Sequence, residues 1–110
     1  MPDEEGHPGR EEMDLRMVLS ALADPLRYEV ISTFVREEVG TERNCSSFGF
    51  DISKSTLSHH FRIMREAGLI RQVDRGNSRK AHLRHEDLEA RFPGLLDLVR
   101  ANPGLPAHRK

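Results

Sequence analysis

A short stretch near the middle of the chain concentrates side chains that can contact a polyanion. Residues 53–68 have the sequence SKSTLSHHFRIMREAG, in which hydroxyls, an imidazole and a guanidinium recur at helical spacing. At about 100° per residue, four of these side chains share one face of a helix. They are Ser55, Ser58, His59 and Arg62. Such groups can contact phosphate oxygens and base edges, so this face predicts nucleic-acid binding, with an ordinary solvated face as the alternative.

The same stretch carries the signals of a complete helix. Ser53 suits the N-cap, because its hydroxyl can accept a hydrogen bond from a free N–H of the first turn. Gly68 suits the position after the last turn, where the chain becomes left-handed. Leu57, Phe61 and Met64 recur at i, i+4 and i+7, which predicts a buried stripe opposite the polar face.

Charge is segregated along the 110 residues, although the net charge is only −1. Residues 1–52 contain 12 acidic residues and 5 arginines, whereas residues 53–84 contain 8 lysines or arginines and 2 acidic residues. Positive charge therefore lies in the polar helix and in the stretch that follows it. This distribution is expected of a protein that binds a polyanion.

A basic hairpin is predicted directly after the helix. Leu69–Val73 and Arg79–Leu83 are strand candidates, and Gly76 and Asn77 between them suit the positive φ of a tight turn. A basic hairpin can lie along a phosphate backbone or reach a minor groove. The alternative is an exposed hairpin that its charge keeps in solution.

One domain is expected, because 110 residues suffice for a single modest core. This domain spans residues 11–101. Residues 1–10 are rich in proline, glycine and acids, which predicts a disordered tail. Residues 102–110 are predicted to form a flexible C-terminal tail.

The remaining elements are mostly helical. Two helices precede the polar helix and meet at Asp24-Pro25, where Asp24 suits the N-cap of a helix over 25–38. Residues 41–52 fit either a short helical turn or an irregular loop. After the hairpin, a helix begins at His85, and a second leucine-rich segment covers 95–99.

The element order and three motifs resemble the ArsR/SmtB family of bacterial winged helix-turn-helix regulators. The motifs are ALADPLRYEVI at residues 21–31, SKSTLSHHFRIMREAGLI at residues 53–70, and the hairpin through Leu83. The resemblance covers roughly Leu15–Val99. It implies a mainly α (α+β) fold with about five helices, a two-stranded hairpin called the wing, and a homodimer built from the terminal helices.

The resemblance also implies a function. Members of this family are sequence-specific DNA-binding transcription regulators, usually repressors, and act as homodimers on inverted repeats of double-stranded DNA. The implied contacts of the recognition helix are Lys54, Ser55, Thr56, Ser58, His59 and Arg62. Those of the wing are Arg75, Asn77, Arg79 and Lys80. The leucine-rich stripes at both ends predict the dimer contacts Leu15, Val18, Leu19, Leu95, Leu96 and Val99.

A metal-responsive version of the same regulator is one alternative. The chain has six histidines, and His85 and Glu89 share a helical face that could offer two ligands to nickel or zinc. The family's best-known metal sensors carry a Cys-x-Cys pair, or an Asp-x-His and His-x-x-Glu set, and neither pattern occurs here. No other cofactor is evident, and an organic effector, a protein partner or no effector at all are the remaining alternatives.

Other function classes find less support in the residues. No Gly-rich phosphate loop, metalloprotease motif or nucleophile elbow occurs, so an enzyme is not expected. A winged helix used only for protein–protein contact is a further alternative, which the basic segment disfavours. Cys45 is the single cysteine, and no apolar run approaches the roughly 20 residues that span a bilayer. The protein is therefore expected in the cytoplasm, without a membrane partner.

Overall fold

The computed structural model describes residues 2–104, so the predicted flexible end at Leu105–Lys110 lies outside the described residues. The helices and strands of this region, in chain order, are α1 (Leu15–Leu22), α2 (Pro25–Val35), β1 (Arg43–Asn44), α3 (Lys54–Ala67), β2 (Ile70–Asp74), β3 (Arg79–Leu83), α4 (His85–Arg91) and α5 (Leu95–Ala101). Short 3₁₀ turns lie at Arg10–Glu12 and Cys45–Phe48. This order confirms the predicted mainly α winged-helix class. None of the helices described is long and apolar enough to cross a membrane.

The predicted helix caps are present at α2 and α3. The carboxylate of Asp24 accepts hydrogen bonds from the backbone N–H groups of Leu26 and Arg27, at 2.9 and 3.1 Å. Pro25 occupies the first turn of α2, where a backbone N–H would have no acceptor within the helix, so proline costs no hydrogen bond. The hydroxyl of Ser53 accepts from the N–H of Thr56 at 3.1 Å. These caps fix where both helices begin, and α2 ends at Val35, before the predicted residue 38.

The strands form one antiparallel sheet in the order β1-β3-β2. In the wing, Gln72 faces Ala81 and Asp74 faces Arg79. β1 adds a short third strand to the predicted hairpin, through pairing of Arg43 with Ala81. Gly76 supplies the left-handed turn at φ +80°, and every non-glycine residue of the described range has negative φ, so the expectation of positive φ at Asn77 is corrected.

Phe48 anchors the stretch that the sequence left open between a helical turn and a loop. It belongs to the 3₁₀ turn Cys45–Phe48 and is almost completely buried. Its ring centroid lies 5.7 Å from that of Phe34 and 6.0 Å from that of Phe61. The stretch is therefore a short strand followed by a one-turn helix, and it places an aromatic ring beneath α3.

Residues 2–10 differ from the disordered tail that their composition predicts. His7 is 3% exposed, and its Nε2 accepts a hydrogen bond from the backbone N–H of Gln72 at 3.0 Å. The buried guanidinium of Arg84 donates to the carbonyl oxygen of Pro8 at 2.6 Å. The physical reason is that the free edge of β2 and a buried cation both need hydrogen-bond partners, which this segment supplies.

Three of the six predicted dimer contacts are buried within the protomer, and the dimer itself stays a prediction. Val18, Leu96 and Val99 lie in the hydrophobic core of the protomer, although Val99 also borders the open groove between α1 and α5. Helical leucine stripes mark apolar positions, but packing of α1 and α5 against the domain decides which of them stay on the surface. Leu15 and Leu19 are exposed, and Leu95 is partly buried against the core.

Candidate nucleic-acid interface

The long helix α3 presents one polar face to solvent. Its opposite face buries Phe61 and Met64, as predicted, whereas Leu57 is only partly buried against the core. All six predicted recognition-helix residues are exposed: Lys54, Ser55, Thr56, Ser58, His59 and Arg62. One open groove is lined by Ser55, Ser58, His59, Arg62 and Arg65. The fold therefore brings together on an accessible surface the side chains that share a helical face in the sequence.

His59 and Arg62 form a pair on this face. Nη2 of Arg62 lies 3.1 Å from Nδ1 of His59. A guanidinium only donates, so the neutral ring accepts at Nδ1 and carries its proton on Nε2. The remaining N–H donors of the exposed pair suit acceptor atoms such as phosphate oxygens or the O6 and N7 of guanine.

The first turn of α3 is held by hydroxyl groups. Besides its N-cap bond, Ser53 donates from Oγ to Oγ1 of Thr56 at 2.9 Å, and its Oγ lies 3.2 Å from that of Ser55. Small side chains at this turn allow close approach to a nucleic-acid backbone, and the positive end of the helix dipole favours an anion there. Thr56 therefore serves first as a partner of the cap, while Ser55 and Lys54 remain at the exposed surface.

An arginine of α2 that sequence reasoning did not single out contacts α1 and α3. Nε of Arg27 donates to the carbonyl oxygen of Ala21 at 2.8 Å, and its Nη1 lies 3.0 Å from Nδ1 of His60. Nδ1 of His60 is also 3.8 Å from the Asp24 carboxylate. The Asp-Pro-x-Arg spacing was the available signal, since it places both side chains on the first turn of α2.

The wing and α3 share one concave surface. Lys54 and Ser58 from α3, and Ser78 and Arg79 from the wing, line an open cleft of about 620 Å³. Gln72 lies in this cleft, buried, and its Oε1 accepts from Nη1 of Arg65 at 2.5 Å. The recognition helix and the wing are therefore held together by side-chain contacts as well as by the chain.

Wing arginines are accessible, but they are paired with acidic side chains. Arg75 makes two contacts with the Glu42 carboxylate, one of them at 3.1 Å from Nε, and these hydrogen bonds lower the pKa of Glu42. Nη2 of Arg79 lies 2.9 Å from Oε2 of Glu5. Asn77 is exposed at the turn, and Lys80 is partly exposed. The positive charge of the wing is thus partly neutralised by the chain itself.

Arg71 is a third paired cation that the sequence did not place at the site. Its Nη1 lies 3.7 Å from Oδ2 of Asp3, and its side chain is partly exposed on β2. It lies on β2 opposite His82 of β3, near the start of the wing hairpin. The signal was present in the sequence as one more basic residue of the hairpin.

The candidate metal ligands do not form a site in the described protomer. His85 and Glu89 lie one turn apart on α4, both partly buried. Within residues 2–104, no three His, Cys, Asp or Glu side chains are arranged to hold one metal ion. Cys45 lies at the cleft beside α3, and burial raises the pKa of its thiol.

Sequence comparison identifies the helix-turn-helix region. The pattern described as bacterial regulatory protein, arsR family, matches residues 47–72, which contain all of α3. The chain is 32% identical over 84 residues to YceK, an uncharacterized HTH-type transcriptional regulator of Bacillus subtilis (strain 168). That alignment covers 74% of this chain and 82% of YceK.

Solved structures share the fold. An ArsR family transcriptional regulator matches with a TM-score of 0.61 and 24% identity, covering 76% of this chain and 90% of its own. A possible transcriptional regulator for arsenical resistance matches with a TM-score of 0.57 and 27% identity, covering 73% and 80%. Proteins of this kind are DNA-binding regulators and not enzymes. With its exposed polar recognition helix and winged fold, the chain belongs to the arsR family of bacterial transcription regulators.

Proposed function

We propose that the protein is a homodimeric repressor that binds an inverted-repeat operator. The observation that carries this proposal is the shared concave surface of α3 and the wing, on which Lys54, Ser58 and Arg79 face one open cleft. A surface of this kind can place the helix in a major groove while the wing contacts the neighbouring backbone. Occupation of a promoter by such a dimer excludes other proteins, which favours repression over activation.

Base recognition is assigned to the exposed face of α3. Arg62 can donate two parallel hydrogen bonds to O6 and N7 of a guanine, which is the commonest specific contact in a major groove. His59, held by Arg62 at 3.1 Å, adds a donor beside it. Ser55 and Ser58, which are small and exposed, contact backbone or base edges as the helix approaches. Lys54 and Thr56 contribute at the first turn.

Backbone contact is assigned to the wing. Arg75, Arg79 and Lys80 bring cations, and Asn77 brings a neutral amide at the tip of the turn. Contacts with phosphates position a protein on the duplex and carry no sequence information directly. Each neutralised phosphate releases counterions, so these residues make binding depend steeply on salt.

The dimer is assigned to the exposed parts of α1 and α5. Leu15, Leu19 and Leu98 are 44%, 50% and 62% exposed, which is high for large apolar side chains. Leu19, Leu95 and Leu98 also line one open, apolar groove between these helices. An apolar patch of this kind supports a two-fold interface, in which the same surface of each protomer meets its copy.

A metal-responsive version of this regulator needs more ligands than His85 and Glu89. Nickel or zinc would bind these two side chains together with groups from a second protomer or from outside the described range. A dimer could supply such shared ligands. The surface of α3 and the wing, which supports the repressor, gives no reason to prefer one metal over another.

Selection of binding sequences from a random duplex library tests the proposal. We expect an inverted repeat whose half-sites lie about one helical turn apart, and a stoichiometry of two protomers per duplex. The affinity should fall steeply between low and moderate salt, and should be measured with and without micromolar nickel or zinc. Recovery of unrelated sequences, or binding that ignores salt, would contradict the proposal and favour a protein-contact module.

A further inference from the structure

The first residues of the chain lie on the wing. The carboxylate of Glu5 is 2.9 Å from Nη2 of Arg79, and the carboxylate of Asp3 is 3.7 Å from Nη1 of Arg71. His7, buried, binds the backbone N–H of Gln72 between these two arginines in sequence. The acidic end of the chain, defined here as the N-terminal strap of residues 2–7, thus covers the outer strand of the sheet.

The N-terminal strap has a defined turn and does not depend on the ion pairs for its shape. Oδ1 of Asp3 accepts hydrogen bonds from the backbone N–H groups of Glu5 and His7, each at 2.9 Å. The backbone N–H of Asp3 donates to the carbonyl oxygen of His7 at 2.9 Å. A preformed turn holds its carboxylates at the wing with little further loss of chain entropy.

Part of the strap also lies beside the recognition helix. A Cβ at Gly6, whose φ is +91°, would lie 3.4 Å from Cγ of Glu66 and 3.9 Å from Nε of Arg65. Both of those residues belong to α3. The strap therefore contacts the wing on one side and lies close to α3 on the other.

The chemistry of the Glu5–Arg79 contact is that of a DNA contact. Guanidinium groups bind carboxylates and phosphates with the same donors and similar geometry. When the Glu5 carboxylate holds Nη2 of Arg79, a phosphate oxygen cannot take the same position. Its charge also repels a phosphate backbone that approaches the wing.

We infer that the N-terminal strap is an intramolecular competitor of DNA, which occupies the wing of the free protein and yields Arg79 to a backbone phosphate on binding. The inference rests on the proposed contact between the wing and phosphates. It gives the acidic N-terminus a regulatory role: the strap lowers affinity for every duplex and leaves sequence preference unchanged.

The test compares Glu5→Gln with Glu4→Gln. Both substitutions remove one negative charge from the strap, but Glu4 is exposed and forms no ion pair within the range described. Fluorescence anisotropy would measure the affinity of each full-length variant for the selected operator and for a scrambled duplex at several salt concentrations. We expect Glu5→Gln to bind both duplexes about two- to fivefold more tightly than Glu4→Gln, as for the loss of one exposed ion pair.

The same comparison in an Arg79→Ala background tests whether the strap acts through Arg79. In that background Glu5→Gln should increase DNA affinity no more than Glu4→Gln does, because Glu5 has no Arg79 guanidinium to bind. Equal affinities of the two strap variants in the otherwise unchanged protein, or an advantage that persists without Arg79, would overturn the inference. If Glu5→Gln binds both duplexes more tightly but the protein shows no preference for the operator, the role of the strap is supported and the proposed operator recognition is contradicted. Loss of all DNA binding in every variant would refute both.

Discussion

Nε2 of His7 accepts the backbone N–H of Gln72 at 3.0 Å, on the side of β2 that has no neighbouring strand. At its other ring nitrogen, Nδ1 lies 2.9 Å from Oδ2 of Asp3. The ring therefore joins the N-terminal strap to the wing as a neutral imidazole, with its proton on Nδ1. Protonation at Nε2 would turn two donors towards each other and break the contact with Gln72.

This arrangement predicts a pH-dependent stability. Burial lowers the pKa of His7 below its ordinary value of 6.5, and Arg71 lowers it further, while Asp3 and Glu5 oppose the shift. Because the pKa of His7 is lower in the folded protein, the unfolded chain binds more protons as pH falls below 6.5. The contribution of His7 to the free energy of unfolding is therefore fully present above that pH and is lost as pH falls. Urea unfolding between about pH 5 and pH 8 should show this loss.

His82 must be separated from His7 in that experiment. Burial also lowers the pKa of His82, so its contribution to stability has the same sign. His7→Gln, in which the amide oxygen can still accept from Gln72, should flatten the pH dependence, and His82→Gln should flatten it independently. An unchanged slope in His7→Gln would show that the ring is not the titrating group.

Arg62 and Arg79 should differ in what they contribute to DNA binding. Arg62→Ala removes a proposed base contact, so it should cost about 1–3 kcal/mol and relax the preference at one operator position. Arg79→Ala removes a proposed phosphate contact, so it should weaken binding to all sequences and reduce the salt slope by about one. Binding titrations on operator and single-substitution duplexes measure both. Equal effects on specificity would contradict the assigned roles.

Leu19 and Leu98 should decide the oligomeric state. Leu19→Glu or Leu98→Glu places a charge in the proposed interface, and a buried unpaired charge there should convert the dimer to a monomer. Because both side chains are largely exposed in the protomer, its thermal unfolding should change little. Sedimentation velocity measures the mass, and operator affinity should fall with the loss of the second half-site contact.

Val39→Glu is the matched control for the dimer. Val39 is 71% exposed, follows α2, and is not among the residues that line the groove between α1 and α5. The control should remain dimeric and bind the operator like the unchanged protein. A monomer in all three variants would point to a general effect of charge, and a dimer in all three would place the interface elsewhere.

Phe48 should be required for stability although it lies in an irregular segment. Phe48→Ala removes a buried ring that contacts Phe34 and Phe61, and such substitutions cost about 3–5 kcal/mol. Phe92→Ala, at the end of α4 and only partly buried, should cost less. Denaturant unfolding at neutral pH compares the two, and a smaller effect at Phe48 would mean that the segment contributes little to the core.

Local signals explain why the site helix could be predicted. Ser53 and Gly68 each act within one turn of α3, and the Gly68 N–H donates to Arg65 while φ is +91°. The burial of Phe61 and Met64 followed from helical spacing alone. The polar side chains lie on the opposite side of the helix from this buried stripe, so their exposure could be predicted too. The contacts of that face with DNA remain predictions.

Long-range partners explain what the sequence could not predict. The first ten residues are held by Gln72, which binds His7, and by Arg84, which binds Pro8. Both partners lie more than 60 residues away, and no pattern within the first ten residues predicts them. Adjacent positions in α1 show a second limit: Val18 is completely buried while Leu19 is half exposed. Periodicity finds an apolar stripe, but only the packed structure shows which edge of it faces outward.

The short strand β1 gives β3 a hydrogen-bonded neighbour on both sides. A wing held in this way is attached to the segment that carries Phe48, so its distance from the recognition helix is set before any duplex arrives. Binding then requires little reorganisation of this part, which reduces the entropic penalty of association. Substitutions of neutral interface residues such as Ser55 should therefore change residence time on DNA far more than the rate of encounter, whereas loss of a wing charge also changes the rate of encounter.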